Sequence, residues 1–136
     1  MPTTKGHCLC GEVQVSVDGS LSSFDSLMCH CSSCKRRSGG IASYAFVVPK
    51  DKVTVTGSSH QSYEDDDTGS GKPMTRTMCT KCGSPVIIIE GSAPDMRCLQ
   101  YGLFADEELP PPKMEMFRSK ACRWVKEVGQ DVREEA

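Results

Sequence analysis

Seven of the nine cysteines in this 136-residue chain fall into three tight groups: Cys8 and Cys10; Cys29, Cys31 and Cys34; and Cys79 and Cys82. A structural zinc takes four ligands in a tetrahedron, and two short chelating pairs from distant parts of a chain satisfy that geometry. Cys8, Cys10, Cys79 and Cys82 supply such a set. Gly11 and Gly83 each follow a pair and let the backbone turn so that amides face the sulfurs. This partition leaves Cys29-His30-Cys31-Ser32-Ser33-Cys34 with three thiolates. Three protein ligands with one exchangeable position form the usual catalytic zinc arrangement, so this group is the candidate active site. The expected complement is two Zn2+ per chain.

Two other readings of the thiols remain open at this point. His30, His7 or His60 could close the second ligand shell and make both sites structural. Against His30, a residue wedged between two liganding cysteines points away from their metal and is left to hydrogen-bond a neighbouring group or a substrate. Thiol redox chemistry at Cys31 and Cys34, or at Cys79 and Cys82, needs a βαβ thioredoxin context that this β-rich sequence lacks. A disulfide scaffold would come with a secretory signal, which Met1 to His7 does not resemble, and nine cysteines leave one unpaired. A reducing, cytoplasmic setting is expected.

Lys35, Arg36 and Arg37 directly follow the candidate catalytic cysteines and could hold the carboxylates of an anionic thiol such as glutathione. The alternative is a solvated surface run, whose side chains point in different directions. Cys98 and Cys122 lack a close chelating partner and read as buried structural cysteines. The acidic run Glu64 to Asp67 reads as solvent-facing loop and is given no catalytic role. Tyr44, Phe46 and Tyr101 either line a pocket or fill the core, and Trp124 reads as a core or edge aromatic.

The elements that must position these groups are mostly β. Val13, Val15 and Val17 alternate with polar residues and stop at Asp18-Gly19, a hairpin-type signal. Further strands are expected over 41–48, 52–56, 59–63, 74–78, 85–90 and 96–102, with a loop over 64–71. Pro110-Pro111-Pro112 excludes regular helix there, and 130–136 reads as a flexible tail. At 136 residues, with 38% apolar and 25% charged composition, one domain over 1–129 is expected. No apolar run approaches the roughly 18–20 residues of a membrane span. The formal charge of -2 offers no basic field for nucleic acid or an anionic membrane. Loading seven thiolates with two Zn2+ would add about three more negative charges.

Taken in order, three motifs resemble those of the glutathione-dependent formaldehyde-activating enzyme family, which also includes centromere protein V. His7-Cys8-Leu9-Cys10-Gly11-Glu12-Val13 is similar to its opening motif, and Cys29 to Gly39 to its central one. Met78-Cys79-Thr80-Lys81-Cys82-Gly83-Ser84-Pro85 is similar to the third, with Met78 where an aromatic residue is usual. Gly102 to Asp106 and Arg118 to Val125 look like its closing segments. The resemblance implies a β-tent of short antiparallel sheets, a fold shared with guanine-nucleotide-releasing factors for Rab-type GTPases. It further implies a structural zinc on Cys8, Cys10, Cys79 and Cys82 and a catalytic zinc on Cys29, Cys31 and Cys34. The activity implied is carbon-sulfur lyase chemistry, joining glutathione and formaldehyde as S-hydroxymethylglutathione or the reverse.

A zinc with an open position favours making or breaking a thiohemiacetal, because it polarises a carbonyl or holds a thiol as thiolate. Zinc-assisted elimination or isomerisation of another small electrophile is the first alternative. A non-enzymatic interaction module is the second, although it would need only the four-thiol site. The partner expected is a small molecule, glutathione or its adduct, and neither nucleic acid nor membrane. The sequence leaves the oligomeric state open.

Overall fold

The computed structural model describes residues 2–136. In chain order its strands are β1 Thr3–His7, β2 Gln14–Asp18, β3 Asp25–Cys29, β4 Ser43–Pro49, β5 Val53–Thr56 and β6 His60–Asp65. They continue with β7 Met74–Cys79, β8 Pro85–Glu90, β9 Met96–Gln100, β10 Met114–Met116 and β11 Asp131–Val132. Among the described residues a single α-helix, α1, covers Ser32–Ser38.

The valine alternation decides the first sheet. Val15 and Val17 are buried while Gln14 and Asp18 face solvent, and β2 is the centre of an antiparallel sheet ordered β1-β2-β5. The second sheet has eight strands ordered β11-β10-β3-β4-β9-β8-β7-β6. Its pairings are antiparallel, as expected, apart from β10, which runs parallel to both β3 and β11. The long chain between β3 and β10 allows a parallel pairing that a tight hairpin forbids.

One core lies between the sheets. Val13, Val15 and Val17 from the small sheet's side pack in a cluster with Phe46, Val48, Val86 and Leu99 of the large sheet. Phe46 is fully buried, stacks on Tyr101 at 4.2 Å between ring centroids and meets Phe104 edge-on at 5.8 Å. These stacked and edge-on contacts set Phe46 in the core, while Tyr101 also lines a cavity together with Tyr44. Trp124, by contrast, is 72% exposed and belongs to no core.

Three features depart from the sequence pattern. Residues 64 and 65 continue β6 because Glu64 and Asp65 pair with Thr75 and Met74 of β7. Helix α1, Ser-Ser-Cys-Lys-Arg-Arg-Ser, carries no apolar periodicity and is set by its ends. The segment 130–136 is docked: β11 extends the sheet, Arg133 N–H donates to Glu115 O at 2.8 Å, and Phe117 N–H donates to Glu135 O at 2.8 Å. Those backbone bonds are made to a distant segment, so local polarity carries no sign of them.

Candidate metal centres

Cys8 and Cys10 lie in the turn after β1, whereas Cys79 ends β7 and Cys82 sits in the following turn. Their four sulfurs lie within 4.8 Å of one another, with Cys8–Cys10 at 3.6 Å and Cys10–Cys79 at 3.7 Å. A tetrahedron of thiolates about 2.3 Å from a central zinc has edges of about 3.8 Å, so the donor set fits. Both turns reverse through a left-handed glycine, Gly11 at φ 82 and Gly83 at φ 76, as the spacing predicts. The turns also interlock. Val13 N–H points at Cys8 Sγ at 3.3 Å, Leu9 N–H donates to Ser84 Oγ at 3.0 Å, and Cys79 N–H donates to Ser84 O at 2.9 Å. Ser84, whose hydroxyl lies 3.1 Å from Cys82 Sγ, is the leading reason that thiol is held down at about 5. A thiol that ionises readily is a ready metal ligand.

The second group is built at the junction of β3 and α1. Cys29 ends β3, Cys31 is the N-cap of α1, and Cys34 lies in its first turn, donating its N–H to Cys31 Sγ at 3.3 Å. The Cys31 sulfur thus occupies the place where a serine or aspartate oxygen usually satisfies a free helical amide. The three sulfurs lie within 4.8 Å of one another, and Cys29 and Cys34 are buried. Proton sharing, first with Cys29 and then with Cys34, pulls Cys31 down to about 2 and drives Cys29 far above an ordinary thiol. Such a cluster is chemically suited to a soft or borderline divalent metal, zinc among them.

His30 does not belong to that ligand set. Its ring is fully buried and turned to Glu115 on β10, with Nε2 to Oε1 at 2.8 Å. Glu115 is also fully buried, and its other oxygen accepts the N–H groups of Val128 at 2.7 Å and Gly129 at 2.9 Å, while Arg118 donates to Oε1 at 3.1 Å. Burial opposes its charge, but Gly129, His30, Val128 and Arg118 together hold the carboxyl down at about 2. The network therefore ties the middle of the cysteine motif to β10 and to the C-terminal segment.

A cavity of about 140 Å3 adjoins the three thiols. Leu27, Ala45, Met74, Ile88, Met116 and Phe117 give it apolar walls, and Cys29, Cys31, Cys34, Cys98, Arg76, Glu90, Asp67 and Thr68 also line it. Phe117 holds a left-handed backbone at φ 54, an uncommon conformation for a bulky residue and one that here shapes a cavity wall. Cys98 is buried, as expected, and its thiol is pushed up to about 12 by burial first and then by Glu90 and Cys34. Cys122 is only half-buried.

The basic run does not line this cavity. Lys35 Nζ donates to Lys120 O, Arg37 Nη2 reaches Thr77 O at 3.5 Å, and Arg36 is exposed. Sequence reading passed over Glu115, and it passed over Arg76, a buried arginine on β7 bound to Asp65. One signal for Arg76 was present: Met74, Arg76 and Met78 alternate, which places the charge on a methionine-bearing strand face. Nothing local marks Glu115, which stands 85 residues from His30.

A mainly-β chain with one closed four-thiol cluster and one open three-thiol cluster beside a cavity defines a class of thiolate-rich proteins equipped for two metal ions. The chain belongs to the glutathione-dependent formaldehyde-activating enzyme family, whose sequence model matches residues 3–120. It is 27% identical over 125 residues to a Halomonas elongata protein provisionally named for that same activity, spanning 89% of this chain and 78% of the relative. In fold it is similar to a crystal structure of a Rhodobacter sphaeroides protein, with a TM-score of 0.61 and 21% identity over 77% of this chain and 91% of the other. No helix among the described residues is long and apolar enough to cross a membrane.

Proposed function

We propose that the protein is a zinc-dependent carbon-sulfur lyase that joins a small thiol to an aldehyde, or reverses that step, with glutathione and formaldehyde the favoured pair. The observation that carries this reading is the division of seven thiols into a set of four and a set of three, with all three members of the smaller set lining one cavity, whereas of the four only Cys8 borders a cavity. Cys8, Cys10, Cys79 and Cys82 would hold a structural ion, and Cys29, Cys31 and Cys34 a second one with a free position. A zinc bound there supplies Lewis acidity and stabilises a thiolate or a polarised carbonyl. The protein's own part is to shape and dry the site: Leu27, Ala45, Ile88 and Phe117 exclude water, and His30 with Glu115 fixes the thiol-bearing loop. A reducing compartment such as the cytoplasm keeps these thiols available.

Protein purified without chelator should contain two zinc ions per chain and form the glutathione–formaldehyde adduct faster than the uncatalysed background. Cys34→Ser should keep about one zinc and lose turnover. One zinc in the parent protein, or full turnover in Cys34→Ser, would sink the reading.

An apolar cavity of about 150 Å3 accommodates a molecule the size of benzene, so a 140 Å3 space takes the reacting end of glutathione while the peptide lies outside. Arg36 is the member of the basic run left free to meet it. Arg36→Ala should raise KM for glutathione by about 2- to 5-fold, the scale of one exposed ion pair, and leave KM for neutral 2-mercaptoethanol unchanged. Equal changes for both thiols would return the run to the solvated surface.

A further inference from the structure

Arg76 lies in the interior of β7, only 4% exposed, and lines the cavity beside the three thiols. Its Nε and Nη2 both donate to Asp65 Oδ2, at 3.2 and 3.1 Å. Nη1 is buried and has no partner among the described residues. A buried guanidinium nitrogen left without an acceptor is costly, and proteins retain such groups where a ligand supplies the missing partner. Arg76 shares this cavity with Cys29, Cys31 and Cys34.

The surroundings indicate which acceptor belongs there. The charge of Arg76 is already matched by Asp65, and Asp67, Glu90 and four thiols line the cavity. The charge of Arg37 is opposed first by burial and then by Arg76, and Arg37 does not line the cavity. A further carboxylate would enter a field already rich in negative groups, whereas a neutral carbonyl or hydroxyl oxygen would not. The volume of about 140 Å3 likewise suits a one- or two-carbon electrophile with a sulfur atom.

We propose that Arg76 is a catalytic residue that binds the oxygen of the aldehyde carbon, donating from Nη1 to the carbonyl of the free aldehyde and to the hydroxyl of the adduct. The proposal rests on the lyase reading for the identity of the substrate. In the step concerned, the thiol sulfur forms a bond to the carbonyl carbon while the C=O π pair moves onto oxygen. The proton lost by the thiol ends on that oxygen, so no oxidant or reductant is required. Arg76 keeps its own protons and favours the state in which negative charge collects on oxygen, within walls that exclude water.

The test pairs turnover with binding on zinc-loaded protein. Arg76→Lys keeps a cation for Asp65 and removes Nη1. It should lower kcat/KM for glutathione plus formaldehyde by about 10²-fold, the usual loss for one such donor, with zinc content unchanged. For binding, calorimetry compares S-methylglutathione with glutathione pre-equilibrated with excess formaldehyde, two ligands that differ by one hydroxyl. The parent protein should prefer the hydroxyl-bearing ligand at least 10-fold, and Arg76→Lys should erase the preference. A preference that survives in Arg76→Lys, or is absent from the parent, overturns the proposal. Equal weakening of both ligands overturns it as well, because Arg76 would then hold the peptide. A parent that prefers the hydroxyl through Arg76 yet produces no adduct refutes the lyase reading and leaves the oxygen site standing. Should Arg76→Lys fail to fold, Asp65→Asn with Arg76→Gln removes both charges together and is held to the same binding criterion.

Discussion

Cys79→Ser should abolish soluble expression or lower the thermal midpoint more than any other single thiol substitution. The reason is topological. Cys10 and Cys79 are 69 positions apart, and their sulfurs meet at 3.7 Å in the cluster that ties the turn after β1 to the end of β7. A cross-link closing a loop of that size restricts the unfolded chain by roughly 4 kcal/mol on the loop-entropy scale, and a metal tie adds its own binding energy. Cys79 is also almost completely buried in the core cluster with Phe46 and Leu99, so the damage reaches packing. Cys34→Ser is the matched control, since Cys29, Cys31 and Cys34 lie within one short segment and constrain little chain. Its thermal midpoint should fall far less. Scanning calorimetry of both variants checks the contrast, and equal destabilisation would reverse the assignment of structural and catalytic roles.

Glu115→Ala should cost about 3–5 kcal/mol, the range for stripping one partner from a buried charged network, or roughly 10–20 °C in thermal midpoint. Four groups lose their acceptor at once: His30 Nε2, Arg118, and the N–H groups of Val128 and Gly129. Because His30 sits between two of the thiols and Val128 and Gly129 lead into β11, one substitution should both weaken metal retention at Cys29, Cys31 and Cys34 and release the C-terminal segment. Hydrogen exchange at residues 128–135 and zinc release to a competing chelator read these effects separately. Glu115→Gln keeps an oxygen acceptor and should fall between the parent and the alanine variant. A Glu115→Ala protein of unchanged stability would show that the buried network is energetically idle.

The candidate donors and most of the strands are legible in local residue pattern. Cysteine pairs two or three residues apart followed by glycine can be read as metal turns because chelate spacing and left-handed backbone are local properties, and both turns have those properties here. Val15 and Val17 in β2, and β8 over Pro85–Glu90, were legible because β-rich and alternating patterns report directly on a pleated, half-buried surface. The motif order likewise carried the family resemblance, matched over residues 3–120.

Where the polar groups of the interior find their partners is set by contacts between distant segments. Helix α1 begins at a cysteine cap and has no apolar stripe, so its seven residues lack the periodic signal that marks longer helices. The tail is ordered by backbone bonds from β10 and its neighbours, and hydrogen bonds between segments leave no imprint on local composition. His30 faces Glu115 across 85 residues of chain, and Arg76 faces Asp65 beside thiols more than 40 positions earlier. Whether such a charge is a solvated surface group or the lining of a cavity depends on strand register and on what the opposing sheet leaves unfilled. A strand pattern shows that a face is buried, but the fold alone determines which space that face encloses.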